Sequence, residues 1–227
     1  MNTPSARLSN SLSEVVRAGA PPVTVIRLGG SLLPWPDLVP SLLDLAISPD
    51  LPRPLIVVGG GAAADEVRAR QLELGLDDVT AHWLAISTMT QNARQLQDRD
   101  SRLQLVSERR EADGVWKSGG VALLDTAAFL RQEERLLPAV ADAPPELKPW
   151  EVRLPATWHV TSDSIAAWIA VRWPAEELWL LKSCDAPAAT VFSLARGGYV
   201  DAAFPQILPS HLAWRWINLR QQRKKRS

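Results

Sequence analysis

Short apolar runs alternate with longer amphipathic stretches along most of the chain. The runs are rich in aliphatic residues, and most are bounded by glycine, proline or charged residues, which is typical of strands buried on both faces. Strands are predicted over residues 23–28, 55–58, 103–107, 119–125, 177–183 and 214–220. Strands that alternate with helices predict an α/β fold in which helices cover a mostly parallel sheet.

The stretches between the strands carry apolar residues at the spacing of a helix face. After the second strand, Ala63, Val67 and Leu74 form one apolar stripe, which normally faces the core. Gly75 then predicts the end of that helix. Further helices are predicted over about 78–98, 126–136 and 161–173.

The length of 227 residues suits one large domain, or one domain with a modest second lobe. We predict a loose leader over residues 1–21, a folded domain over residues 22–220 and a basic tail over residues 221–227. The proline-rich stretch 138–150 predicts an irregular connection, either at a lobe boundary or in a loop over a site.

Composition narrows the class of protein. The chain has 25 basic and 25 acidic residues, so no general attraction to nucleic acid or to an anionic membrane is expected. It contains no apolar stretch near the ~20 residues of a membrane span, and its first residues lack the apolar core of a signal peptide. The single cysteine, Cys184, excludes an internal disulfide. These features predict a cytoplasmic protein.

Two predicted strands end in glycine, in "RLGGS" (27–31) and "VGGGAAAD" (58–65). Glycine lets main-chain N–H groups approach a ligand because no Cβ is in the way. A helix that begins just beyond offers further unpaired N–H groups, which suit phosphate. Tight strand-to-helix turns also use glycine for purely steric reasons. For the triplet we expect a surface-facing turn that touches phosphate.

Three charged side chains are predicted to converge on these turns. Arg27 lies near the end of the first strand, Asp163 begins a helix in "VTSDSIAAWIA", and Lys182 ends a strand in "LLKS". The carboxyl ends of parallel strands share one edge of a sheet, where ligands gather. Phosphoryl transfer without a protein nucleophile needs positioned charges and hydrogen-bond donors. This edge would supply two cations, backbone donors and one acid. The alternatives are a simple helix cap for Asp163 and an ordinary strand-end charge for Lys182.

Other reactive residue types carry weaker signals. The three histidines lack the spacing of metal ligands, so we interpret His82, His159 and His211 as structural and predict no metal site built by the protein. Cys184 is close to Lys182 in sequence, but no neighbouring Cys/His pair supports a nucleophilic role.

Several segments resemble the amino acid kinase family, from about Val23 to Arg220. "IRLGGSLL" and "LIVVGGGAAADEVR" are similar to its two phosphate loops, and "VTSDSIAAWIA" to its Asp-containing helix start. The resemblance implies a three-layer α/β sandwich, an ATP-dependent small-molecule kinase and assembly into a homo-oligomer.

One branch of this family resembles the chain in further segments. "AHWLAI", "LPATWHVTSDSIAAW" and "GGYVDAAFP" are similar to the branch with an archaeal kinase of methanofuran biosynthesis. That enzyme phosphorylates an aminomethylfuran-methyl phosphate to a diphosphate. The resemblance therefore implies a small-molecule phosphate acceptor.

The resemblance also implies roles for individual residues. Gly29, Gly30 and Ser31 would bind the terminal phosphates of the nucleotide. Gly59, Gly60 and Gly61 would bind the accepting phosphate. The resemblance implies catalytic roles for Arg27, Asp163 and Lys182. Asp163 would orient the two cations, and Lys182 would neutralise the negative charge on the phosphoryl group during transfer. Mg²⁺ arrives with ATP.

The chain departs from the family pattern at three places. Arg27 stands where the family usually has lysine. Its planar guanidinium presents several donors in a fixed geometry, whereas the lysine ammonium is a compact charge. "KSCDAPAA" replaces the family's "TDVDG"-like turn, and Ala62–Ala64 stand where the isopentenyl phosphate branch carries a histidine. The last difference argues against isopentenyl phosphate. A uridylate-type kinase and a non-catalytic nucleotide- or ligand-binding protein stay open as alternatives.

Overall fold

A computed structural model of the chain describes residues 22–187 and 190–224. The predicted leader and the last three residues of the predicted tail lie outside the described residues. Within these ranges the chain forms one six-stranded sheet with helices on both faces. No helix among the described residues has the length and apolar character needed to cross a membrane.

All neighbouring strands of the sheet are parallel. The strands are β1 (Thr24–Leu28), β2 (Pro54–Val58), β3 (Leu103–Val106), β4 (Val121–Leu124), β5 (Glu177–Lys182) and β6 (Ala213–Asn218). Their order is β3-β4-β2-β1-β5-β6, so β1 lies between β2 and β5. The six predicted strands and the parallel sheet are confirmed, although residues 219 and 220 of the last predicted strand are helical.

The helices follow the strands and close both faces. They are α1 (Leu38–Ala46), α2 (Gly61–Leu74), α3 (Asp78–Gln97), α4 (Arg109–Lys117), α5 (Thr126–Glu134), α6 (Ser162–Arg172), α7 (Val191–Arg196), α8 (Phe204–Ile207) and α9 (Leu219–Lys224). Short 3-10 turns cover Gly30–Leu32 and Val140–Asp142, the latter inside the predicted irregular connection. Helix α9 includes residues 221–224, so the first part of the predicted basic tail is helical.

Side chains alternate between two hydrophobic cores along the central strands. Val25 and Val57 point into one core, which α5 and α6 cover, whereas Ile26 and Val58 point into the other, which α1 covers. Alternation places successive residues on opposite faces, and both faces are apolar because helices cover both. The predicted three-layer α/β sandwich is confirmed.

The predicted apolar stripe on α2 does not face a core. Ala63 and Val67 are half-buried, and the Leu74 side chain is 66% exposed. Helix α2 contacts α3 and the Gly30–Leu32 turn. This placement leaves one side of α2 free to form the wall of a cleft.

Sequence reasoning missed α1, α4 and the short helices α7 and α8. Helix α1 contains Pro40 in its first turn, where a missing N–H is harmless because that group has no intrahelical partner. Helix α4 reads as mostly charged, and among its residues only Ala112 and Val115 are buried. The apolar spacing of a helix face is nevertheless present, in Val39, Leu42, Leu43 and Ala46 of α1 and in Ala112 and Val115 of α4.

Candidate active site

The two glycine turns meet because β1 and β2 are neighbours in the sheet. A Cβ atom on Gly30 would lie 2.4 Å from the backbone of Gly61, so the two turns pack main chain against main chain. Gly61 has a φ of 56°, which favours glycine, and α2 begins there. The pairing of strands thus brings both predicted phosphate loops to one point.

Only part of each glycine turn faces the cleft beside it. Gly29 donates its N–H to Leu181 O at 2.8 Å, and Gly59 donates to Leu28 O at 2.9 Å, so these two amides are already bonded. The cleft has a volume of about 450 Å³. Its glycine-turn lining consists of Gly30, Ser31, Gly60 and Gly61. Gly29 and Gly59 therefore shape the turns and have no free N–H for a phosphate.

Asn92 on α3 fixes the second glycine turn. Its side-chain amide donates to Gly59 O at 2.8 Å and to Gly60 O at 2.9 Å, and the residue is buried. Sequence reasoning missed this residue. The available signal was a polar side chain beside the predicted apolar face of α3.

The structure brings Arg27, Asp163 and Lys182 together in one buried cluster. Lys182 Nζ donates to both carboxylate oxygens of Asp163, at 3.0 and 2.9 Å. Arg27 Nε lies 2.9 Å from Asp163 Oδ1, in an ion pair that lacks the alignment of a hydrogen bond. Arg27 Nη2 donates to Ser162 Oγ at 2.7 Å. One carboxylate therefore sits between two cations at the edge of the cleft.

Lys182 has all three ammonium protons engaged. Its third acceptor is the backbone oxygen of Tyr199, at 2.8 Å, and its Nζ lies 5.2 Å from the ring centroid of Trp216. Burial lowers the pKa of Lys182, and the Arg27 charge lowers it further, while Asp163 opposes both. A phosphoryl group that binds Lys182 must replace or share one of these acceptors.

Asp163 does not cap α6, contrary to the simpler interpretation of its position. The carboxylate that holds the helix start belongs to Asp201. Its Oδ2 accepts from Thr161 N at 3.0 Å and from Ser164 N at 2.9 Å, and its Oδ1 accepts from the Ser164 hydroxyl. Burial raises the pKa of Asp201, and its hydrogen bonds to Ser164 oppose the rise. Because Asp201 takes over the cap, Asp163 is free to pair with the cations.

Sequence reasoning gave Asp201 no role. Its only signal was its place in "GGYVDAAFP", one of the segments that resemble the family. No local pattern links it to α6, which begins about 40 residues earlier in the chain.

One end of the cleft lies beyond Lys182. Ser31 and Ser183 contact each other through their hydroxyl oxygens at 3.0 Å, and both line the cleft. The unusual "KSCDAPAA" turn is held to β6, since Trp216 Nε1 donates to Cys184 O at 2.9 Å. Asn218 reinforces this attachment by donating to Asp185 at 3.0 Å. The altered turn is thus anchored by β6 and, through Gln221, by α9.

The other end of the cleft lies between α2 and α3. Arg68 lines it, with its guanidinium carbon 4.5 Å from the ring centroid of Trp158. Sequence reasoning did not count this cation. Asp65 and Asp78 line the same end, so it carries charges of both signs.

His82 also lines this end, although its sequence context predicted a structural residue. It is 7% exposed, and its Nε2 is buried without a hydrogen-bond partner among the described residues. Burial lowers its pKa to about 4, so the imidazole is neutral at neutral pH. The described residues include no group of three or more His, Cys, Asp or Glu side chains that could hold a metal ion.

Comparisons with known proteins agree with this architecture. No family model and no curated protein matches the chain. Among solved structures, UMP kinase from Bacillus anthracis is similar over 87% of each protein, with 13% identity and a TM-score of 0.55. UMP kinase from Ureaplasma parvum is similar over 88% of this chain and 90% of that protein, with 13% identity and a TM-score of 0.52. The chain has the amino acid kinase fold.

A uridylate kinase from Archaeoglobus fulgidus is also similar, with 18% identity over 74% of this chain and 68% of that protein and a TM-score of 0.48.

Gly60→Val is expected to destabilise the protein. Gly60 is buried, contrary to the expected surface-facing turn, and a Cβ there would lie 2.6 Å from Ala64 Cβ and 2.8 Å from Thr88 Oγ1. Overpacking of this kind lowers the free energy of unfolding by about 1–3 kcal/mol or more. Urea denaturation of the variant and of the wild type measures the change.

Gly114→Ala is the matched control. Gly114 lies inside α4, and an added Cβ meets nothing within 4 Å. Alanine should therefore raise stability by about 0.5–1 kcal/mol. Wild-type stability in Gly60→Val would contradict the steric interpretation of the buried turn.

Proposed function

We propose that the protein is an ATP-dependent small-molecule kinase that transfers the γ-phosphoryl group to the phosphate of an acceptor. The observation that carries the proposal is the buried Arg27–Asp163–Lys182 cluster beside two glycine turns at the carboxyl ends of β1, β2 and β5. Phosphoryl transfer depends on positioning and on neutralising charge, and this cluster offers fixed cations for both.

The cleft divides naturally into two parts around this cluster. Gly30, Ser31 and Ser183 suit the terminal phosphates of the nucleotide, since they offer backbone and hydroxyl donors next to Lys182. Gly60 and Gly61, at the positive end of α2, suit the accepting phosphate. Mg²⁺ would arrive on the phosphates of ATP and neutralise their charge there.

The reaction then needs no covalent intermediate on the protein. An oxygen of the accepting phosphate forms a bond to the γ-phosphorus of ATP, while the bond from that phosphorus to the β–γ bridging oxygen breaks. ADP leaves, and the product is a diphosphate. Lys182 and Arg27 stabilise the negative charge that spreads over the transferring group.

For the acceptor we propose an aminomethylfuran-methyl phosphate. This choice rests on the resemblance of "LPATWHVTSDSIAAW" and "GGYVDAAFP" to the methanofuran branch. UMP is the second candidate, supported by the similarity of the fold to two solved UMP kinases. A non-catalytic binding protein is the third, because Arg27 replaces the usual lysine and Lys182 already has three acceptors.

The test is transfer of label from γ-labelled ATP in the presence of Mg²⁺. The purified protein is offered an aminomethylfuran-methyl phosphate, UMP, isopentenyl phosphate, acetylglutamate and glutamate, one at a time. We expect a labelled diphosphate from the furan phosphate and little transfer to the amino acids. Efficient transfer to UMP alone would place the chain with the uridylate kinases.

If the protein binds ATP but phosphorylates none of these acceptors, one further variant decides between the proposals. Arg27→Lys is then tested with the same acceptors. Activity restored by this change would show a kinase that lost turnover at one residue. If Arg27→Lys also transfers no phosphoryl group, the kinase proposal is rejected in favour of a binding protein.

A further inference from the structure

The face of α3 that lines the cleft changes from apolar to polar along its length. Met89, Ala85, His82 and Asp78 follow one another at the spacing of a helix face, and all four line the cleft. Thr88, beside Met89, lies next to Gly60, since a Cβ on Gly60 would meet its Oγ1 at 2.8 Å. The apolar end of this face is therefore near the glycine turn, and the polar end lies away from it.

His82 is the anomaly on this face. Its Nε2 is buried with no hydrogen-bond partner among the described residues, yet the side chain borders a cavity. Buried nitrogens are nearly always hydrogen-bonded in native proteins, because leaving one unpaired is unfavourable. A ligand in the cleft can supply the missing partner once a small rotation of the imidazole brings Nε2 to the cavity surface.

The position of His82 sets the size of such a ligand. His82 and Thr88 are six residues apart on α3, which corresponds to roughly 9 Å along the helix at about 1.5 Å per residue. A ligand with its phosphate at Gly60 and Gly61 must therefore carry a polar atom at about this distance. Ile86, which lies between these points, and Met89, next to Thr88, are buried beside the cleft, so the middle of the ligand is apolar or flat.

The lining of the cleft also suits a flat ligand. Trp158 and Arg68 both line it, with the Arg68 guanidinium carbon 4.5 Å from the Trp158 ring centroid, so the cleft offers an aromatic surface and a cation as well as His82. Flat rings stack favourably on both groups.

We propose that His82 is the specificity-determining residue of the acceptor subsite, and that the acceptor is a phosphorylated ring compound whose ring carries a hydrogen-bonding atom. The inference rests on the proposed function for the place of the phosphate. A neutral imidazole offers one N–H and one lone pair, so it pairs with either a donor or an acceptor on the ring. Furan phosphates and pyrimidine nucleotides share this chemistry, and isopentenyl phosphate lacks it.

The test measures binding by calorimetry with three acceptors, each in the presence of a non-hydrolysable ATP analogue. The furan phosphate and UMP are the two ring compounds, and isopentenyl phosphate is the control without a polar atom at its far end. We expect the wild type to bind at least one ring phosphate about tenfold or more tightly than isopentenyl phosphate. The ring compound that binds more tightly shows whether the acceptor is a furan phosphate or a pyrimidine nucleotide.

Two variants isolate the imidazole nitrogen. His82→Phe keeps a ring of similar size without the nitrogen, and His82→Gln places an amide near the position of Nε2. Affinity for the ring phosphate should fall about tenfold in His82→Phe, as expected for one lost hydrogen bond, and should largely recover in His82→Gln. Affinity for isopentenyl phosphate and for the ATP analogue should change in neither variant.

Nitrogen-15 spectra of the imidazole give an independent readout. The His82 signals, assigned by their loss in His82→Gln, should shift when the ring phosphate binds and stay unchanged with inorganic phosphate alone. Equal affinity of the wild type and His82→Phe for the ring phosphate would overturn the proposal. So would a wild type that binds isopentenyl phosphate as tightly as the ring compounds, or that binds none of the three.

The failure of this inference can be told apart from failure of the proposed function. His82-dependent binding without any phosphoryl transfer would reject the kinase and keep the subsite. Phosphoryl transfer with an unchanged KM for the acceptor in His82→Phe would keep the kinase and reject the subsite.

Discussion

Asp163→Asn is expected to abolish phosphoryl transfer and to weaken the fold at the same time. Asp163 is 4% exposed, and its carboxylate pairs with both Arg27 and Lys182. Asparagine removes the charge and leaves two buried cations facing each other. Breaking a buried ion pair from one side lowers the free energy of unfolding by about 3–5 kcal/mol. Turnover should fall at least ~10³-fold, because neither cation keeps its orientation.

The measurement separates the two effects. Urea denaturation gives the stability, and turnover is taken under conditions where circular dichroism shows the variant folded. Asp125→Asn is the matched control, since Asp125 is also buried and ion-paired, but its partner Arg94 does not line the cleft, whereas Arg27 and Lys182 do. It should retain wild-type turnover. An active, stable Asp163→Asn variant would reduce Asp163 to an ordinary residue of the first helical turn.

A double variant shows why Asp163→Asn destabilises. Lys182→Met added to Asp163→Asn removes one of the two unpaired cations while keeping a long side chain against Trp216. Stability should partly recover, because the repulsion between the two cations is gone and only the Arg27 charge of the cluster stays uncompensated, whereas turnover should stay absent. Additive losses of stability in the double variant would contradict the charge-pairing account.

Lys182→Ala is expected to reduce turnover by about 10²–10³-fold while changing the affinity for an ATP analogue much less. The ammonium is fixed by Asp163 and by the backbone oxygen of Tyr199, so it is oriented before any ligand arrives. A fixed cation stabilises the charge of the transferring group more than it stabilises bound ATP, which retains contacts along the rest of its length.

Single-turnover rates and calorimetric titrations with the ATP analogue test this separation. Arg172→Met is the control, because Arg172 is a half-buried cation, ion-paired with Glu133, that does not line the cleft. Its turnover should match that of the wild type. Near-normal turnover in Lys182→Ala would remove Lys182 from the mechanism, and equal losses of turnover and nucleotide affinity would make it a binding residue.

The secondary structure of the core was readable from local patterns. The apolar runs that became β1, β2 and β5 are buried on both faces, and continuous apolar runs of that length have few other stable solutions. Two of the helices that sequence reasoning missed, α1 and α4, do have apolar residues at helical spacing, but Pro40 stands in the first turn of α1 and charged residues dominate α4.

The sequence did not show what the apolar face of a helix packs against. Helix α2 shows an apolar stripe in sequence, but it packs against α3 and borders a cleft, which leaves Leu74 exposed. An amphipathic pattern shows which side of a helix is less polar. It does not show whether a core is available to that side.

The sequence by itself determined the chemical parts of the candidate site. Two strand-to-glycine turns, an acid at a helix start and a lysine at a strand end are local features, each set by a few consecutive residues. Only the tertiary structure decided how these parts are used. The strand order places β1 between β2 and β5, which packs the two turns together and brings Arg27 and Lys182 to one carboxylate. Asp201, Asn92 and His82 reach the site from distant segments through side-chain contacts, and such contacts have no periodic signature because they depend on where the chain returns in space.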